Sequence, residues 1–110
     1  MLSPSTIINK LSHEAHECAI EKGWYDQART PPELICLIHS ELSEALEAFR
    51  DGNPSDPHCP SFSSAEVELA DAVIRIFDMA SAFDYSIGSA IVAKMRYNWT
   101  RTIRHNGKAY

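Results

Sequence analysis

Along most of the chain, apolar residues recur at intervals of three and four rather than two, the period of an amphipathic helix. The first such run covers about Ser5 to Lys22, with Ile7, Ile8, Leu11, Ala15, Cys18 and Ala19 at helical spacing and Gly23 as a C-cap. A short loop, Trp24 to Arg29, leads into Thr30-Pro31-Pro32-Glu33. There Thr30 suits the N-cap, Pro31 the first turn, and Glu33 completes a capping box. This second helix runs to about Asp51 and stops at Gly52. Residues 52–62 contain three prolines and read as a loop. Ser63-Ser64-Ala65-Glu66 is a second capping box and opens a third helix, to about Phe83. Asp84 suits the cap of a fourth, about Tyr85 to Trp99. The stretch from Thr100 to Tyr110 reads as a basic tail with a turn at Asn106-Gly107. No segment alternates with period two for long enough to argue a strand. The pattern predicts one all-α domain over residues 1–110, a four-helix bundle.

Two helices break the amphipathic rule. With Glu41 at zero on the helical wheel, Leu34, Leu37, Ile38, Ala45 and Ala48 all fall within about 60° of it. Glu41 therefore sits inside an apolar stripe, with Glu44 at the stripe's edge. A carboxylate facing a core costs several kcal/mol unless it is paired or binds a cation. The third helix is apolar nearly all round (Val67, Leu69, Val73, Ile74, Ile76, Phe77), apart from a strip of Glu68, Asp71, Arg75 and Asp78. Glu68 and Asp71 are three apart, as are Glu41 and Glu44, so each pair shares a helical face. Two facing helices would bring four carboxylates around one small volume. Like charges cannot share a dry volume without cations, and oxygen ligands without Cys or His select Mg²⁺ or Mn²⁺. The competing expectation for the third helix is a solvated ladder in which Arg75 pairs with Asp71 and Asp78.

Charge sharpens the picture. The net charge is −5, from 10 Lys and Arg against 15 Asp and Glu in 110 residues. All 15 acids lie at or before Asp84, so residues 1–84 carry −10 and residues 85–110 carry +5. Lys94, Asn98 and Arg101 recur at spacings of four and three, on one face of the fourth helix or its extension. Such a face suits phosphate, which Arg can grip with two hydrogen bonds, or is simply a solvated helix end favoured by the macrodipole. The overall acidity argues against nucleic acid as a partner.

Glu41-Leu-Ser-Glu44 followed by Glu68-Leu-Ala-Asp71 resembles the ExxE…ExxD signature of the MazG-like all-α nucleoside triphosphate pyrophosphohydrolases. The segment from Lys94 to Arg101 and His105-Asn-Gly-Lys108 resembles the end of the short phage and bacterial members. The resemblance implies that Glu41, Glu44, Glu68 and Asp71 bind Mg²⁺; one carboxylate of that quartet, with Glu41 and Glu44 as the candidates, is then expected to take a proton from the attacking water. It implies phosphate contacts from Lys94, Asn98, Arg101 and Lys108, with Trp24 at the nucleobase. It further implies cleavage of a triphosphate to the monophosphate and pyrophosphate, in a homodimer or homotetramer. The chain departs from many members at Ser40, where they carry a further Glu. An oligomer also suits a third helix too apolar for one small bundle to cover.

Other chemistries are poorly supported. His13-Glu-Ala-His-Glu17 lacks the second histidine of a zinc-protease HExxH, and His13 and His16 read as polar-face residues. Three widely spaced cysteines make neither a disulfide framework nor a zinc pair, and they fit a reducing cytoplasm. No apolar run approaches a membrane span, and Met1-Leu-Ser-Pro4 does not begin as a signal peptide. The alternative reading is a non-catalytic helical adaptor or regulatory protein that shares the fold and offers its basic end to an acidic partner.

Overall fold

The computed structural model describes residues 2–102. Four helices are present among them: α1 (Pro4–Glu21), α2 (Pro31–Arg50), α3 (Ser64–Ala82) and α4 (Ile87–Thr100). α3 is central, with α1 and α2 both packed on it, and α4 packs on α1. No named strand occurs among the described residues; one isolated bridge joins Ser55 to Ser63. The anticipated helices are all found, with ends shifted by one or two residues. Lys108 and the Asn106-Gly107 turn lie outside the described residues.

Capping chemistry sets most boundaries. Ser3, Thr30 and Ser63 each accept a backbone N–H from the first turn of α1, α2 and α3. Ser63 and Glu66 form the full reciprocal box. At Thr30 the box does not close, because the Glu33 carboxylate pairs with Arg29 at 3.1 Å instead. Gly23 and Gly52 follow α1 and α2 with φ of +86°, a left-handed conformation that glycine adopts without steric cost. Asp84 is not the cap of α4. It follows α3 with φ of +62° and helps to end that helix, its N–H bonded to the Ser81 carbonyl. The start of α4 is satisfied from another helix: Asn9 on α1 accepts the Gly88 N–H at 2.8 Å. Gly88 is buried against α1, and a Cβ there would run into the Ser5 carbonyl oxygen. That close approach fixes α4 on α1.

The core is thin. Among the described residues its buried apolar members are Leu34, Ile38 and six alanines. The polar strip of α3 is also its inward side, with Asp78 buried and Glu68, Asp71 and Arg75 half-buried. Leu69, Val73 and Ile76, at helical spacing on the same helix, are exposed instead. Leu42, Leu46 and Phe49 on α2 are exposed as well. A helix that turns its charges inward and its apolar side outward is inside-out for an isolated subunit.

Candidate functional site

The inward polar strip of α3 meets the Glu41 stripe of α2. Glu41 is only 8% exposed, as the wheel required, with Leu34, Ile38, Ala45 and Ala48 buried beside it. Glu41, Glu44 and Glu68 bring one carboxylate oxygen each within 4.8 Å of one another. Three of the four expected acids thus converge across α2 and α3. Asp71 stands outside that set but close enough to feel the Glu41 charge.

Electrostatics mark the cluster as under-compensated. One Glu68 oxygen, Oε2, is closed off from solvent and has no hydrogen-bond partner. Burial, the carboxyl contact with Glu44, and the charges of Glu44, Asp71 and Glu41 push Glu68 up to about 7. Asp71 is raised by burial first, then by Glu41, with Asp56 adding and Arg75 opposing. Apart from Arg75, each cause disfavours the charged form, which a cation would restore. The donors are all hard oxygens, their spread is close to the roughly 4 Å diameter of a Mg²⁺ coordination shell, and one oxygen lacks a donor. The residues present therefore fit a hard divalent cation.

Arg75 takes neither partner expected of it along α3. Its Nε donates to Glu41 Oε1 at 2.7 Å, across to α2. Its guanidinium also lies over the Trp24 ring, 4.9 Å from the centroid. Asp78 is only 2% exposed and is saturated by other groups. Its Oδ1 lies 2.8 Å from His16 Nδ1, and Tyr25 donates its hydroxyl to Oδ2 at 2.7 Å. Burial and the Asp78 carboxylate hold the Tyr25 hydroxyl well above its usual range. His16 is therefore not a solvated polar-face residue. With Tyr25 edge-on at 4.8 Å, it ties α1 and the following loop to α3. His13 is exposed and bonds Ser81 on α3.

These contacts shape a cavity of about 280 Å³, lined in part by Trp24, Tyr25, Leu37, Arg75 and Asp78. Arg29 also lines it and donates to the Trp24 carbonyl at 2.7 Å, which steadies the indole. Trp24 is thus next to the acidic cluster, with Arg75 between them.

The three described residues of the expected phosphate face are on another element. Lys94 and Asn98 lie on α4 and Arg101 caps it, all exposed, and α4 packs on α1. Lys94 Nζ sits over the Tyr97 ring at 4.6 Å. Among the described residues no hydrogen bond or ion pair joins these three to the carboxylates.

Asp56 was not singled out by its sequence context. It is buried in the loop after α2, accepts the His58 and Cys59 N–H groups at 2.8 Å each, and adds its charge to Asp71. Ser-Asp-Pro is a turn signal, but its approach to α3 has no local signature. No family model, curated protein or solved structure matches the chain, so the site is read from its own chemistry.

The raised carboxyls have a consequence for stability. Glu68 binds its proton more tightly in the folded state than at its ordinary value of 4.5. The folded form thus holds more protons than the unfolded form between about pH 4.5 and 7, and stability falls as pH rises through that window. In chelator, the melting temperature should drop by a few degrees between pH 5 and 8, and Mg²⁺ should recover more of it at pH 8. Glu68→Gln should flatten the slope. A pH-independent melting temperature in the wild type would contradict this account of Glu68.

Proposed function

We propose that the protein is a Mg²⁺-dependent nucleoside triphosphate pyrophosphohydrolase of the MazG-like kind. The observation that carries the reading is the convergence of Glu41, Glu44 and Glu68, with an unpartnered oxygen, beside a cavity walled by an indole and two arginines. Glu41, Glu44, Glu68 and Asp71 would hold the Mg²⁺. When bound, it would polarise the phosphoryl oxygens, neutralise the charge that develops on them and acidify a water.

The rest falls to the protein's own groups. Glu44, the exposed member of the cluster, accepts a proton from water as the water oxygen bonds to phosphorus. The bond between the α-phosphorus and the bridging oxygen breaks, and pyrophosphate leaves. Trp24 offers a face for the nucleobase. Lys94, Asn98, Arg101 and Lys108 supply donors to the phosphates. Because α4 packs on α1, and no described contact joins its polar groups to the carboxylates, Lys94, Asn98 and Arg101 are assigned to the site of a second copy of the chain in a homodimer or homotetramer. The exposed apolar sides of α2 and α3 support such an assembly.

The test is a panel of common and modified nucleoside and deoxynucleoside triphosphates with Mg²⁺. The expected result is monophosphate plus pyrophosphate from at least one substrate, abolished by EDTA. Release of orthophosphate alone would assign a different phosphohydrolase. No release across the panel would favour the adaptor.

A further inference from the structure

Arg75 joins the two halves of the site. Its Nε is bonded to Glu41 at 2.7 Å, its guanidinium lies 4.9 Å from the Trp24 ring centre, and the same side chain lines the 280 Å³ cavity. The acids one turn away on α3 do not hold it. Asp78 is occupied by His16 and Tyr25, and Asp71 acts on it through space. Among the described residues, Glu41 is its hydrogen-bond and ion-pair partner.

A guanidinium and a divalent cation both need that carboxylate, and their charges repel. Where one gains Glu41, the other is weakened. Arginine suits such an exchange, because it can stack on an indole while its edge bonds an anion. It can therefore change its hydrogen-bond partner without leaving the ring.

We propose that Arg75 is an exchangeable counter-charge. It neutralises Glu41 while the cluster is free of divalent cation. It gives up Glu41 when the cation binds, and turns across Trp24 into the cavity to face a phosphate-bearing ligand. This inference rests on the reading of the cluster as a divalent-cation site. Arg75 acts on the cation through Glu41 and on the phosphate directly. Linkage follows: a phosphate that engages the released guanidinium tightens cation binding, and the cation tightens phosphate binding equally.

Trp24 and Trp99 are the two tryptophans of the chain, and Trp99 is 88% exposed at the end of α4. Trp99→Phe leaves Trp24 as the reporter. Chelator-stripped Trp99→Phe protein is titrated with MgCl₂, with and without inorganic pyrophosphate, by calorimetry and tryptophan emission. The expected result is saturable binding with a change in Trp24 emission, and tighter binding with pyrophosphate. Adding Arg75→Met, which removes the charge and keeps the bulk, should abolish the emission change. It should tighten Mg²⁺ binding about tenfold, as expected for losing a charged competitor, and remove the pyrophosphate effect. Arg75→Gln is the second variant, and circular dichroism checks that both fold. Mg²⁺ binding no tighter in the folded variants, with the emission change retained, overturns the exchange and leaves the cation site standing. No Mg²⁺ binding by the parent or either variant overturns both.

Discussion

Glu41→Gln is expected to leave helical content unchanged and the melting temperature within a few degrees of wild type, while lowering triphosphate hydrolysis about 10³-fold or more. The amide keeps the shape of a side chain packed among Leu34, Ile38, Ala45 and Ala48. Its carbonyl oxygen still accepts the Arg75 Nε–H that Glu41 Oε1 accepts at 2.7 Å. What disappears is the negative charge, the property a Mg²⁺ ligand needs. Removing a carboxylate from a crowded acidic cluster also relieves repulsion on Glu68 and Asp71, both raised in part by Glu41. A protein at least as stable and nearly inactive separates function from folding at this position. A rate within a few-fold of wild type at saturating Mg²⁺ would remove Glu41 from the site.

The second large effect concerns assembly. Glu68→Gln and the double variant Lys94→Ala/Arg101→Ala should each be inactive alone and recover activity when their subunits are mixed. The carboxylates belong to α2 and α3, whereas Lys94 and Arg101 belong to α4 and its cap. With α4 seated on α1, and no described contact joining the two sets within the chain, one copy is expected to supply the acids and another the bases. In a dimer formed from equal amounts, half the molecules are mixed, and one of their two sites is intact, so about a quarter of wild-type activity should return. Light scattering should show a particle larger than the 12.3 kDa chain. Failure to recover activity, with mixed oligomers verified by mass, would place the basic end outside the reaction. A monomer in solution would rule out the shared site.

The exposed apolar surface makes the assembly physically reasonable. Leu69, Val73 and Ile76 form an outward stripe on α3. Less than half of each remains exposed, so covering them adds only part of the roughly 1.5–3 kcal/mol that full burial of such a side chain contributes. Covering that stripe with a second copy would offset the burial and repulsion that raise Glu68 and Asp71 on the opposite side of α3. Turning the helix over would bury the apolar stripe within one chain and leave the carboxylates in water, with no cluster.

Much of the fold was legible in the sequence, because the signals involved are local. Thr30 and Ser63 announce helix starts, Gly23 and Gly52 announce ends, and each needs only its neighbours within one turn. The buried position of Glu41 was legible for the same reason: its apolar neighbours on the wheel belong to the same helix. Where a partner lies on another element, sequence spacing misled. Arg75 had Asp71 and Asp78 within reach at three and four residues but pairs with Glu41, 34 positions away. Asp84 had the chemistry of an N-cap for α4, but Asn9 from α1 supplies that hydrogen bond. His16 had no acidic partner implied along α1, and found Asp78 62 positions away.

The sequence by itself determined four helices, the N-caps of α2 and α3, the glycine ends of α1 and α2, and two pairs of carboxylates each aligned on one face. Periodicity fixes the angle of a side chain about its own helix axis. It leaves open the rotation and axial offset of one helix against the next. Those two quantities were decided by tertiary packing. They bring Glu68 rather than Asp71 to Glu41 and Glu44, send Arg75 across to α2, bury Asp78 against His16 and Tyr25, and seat α4 on α1.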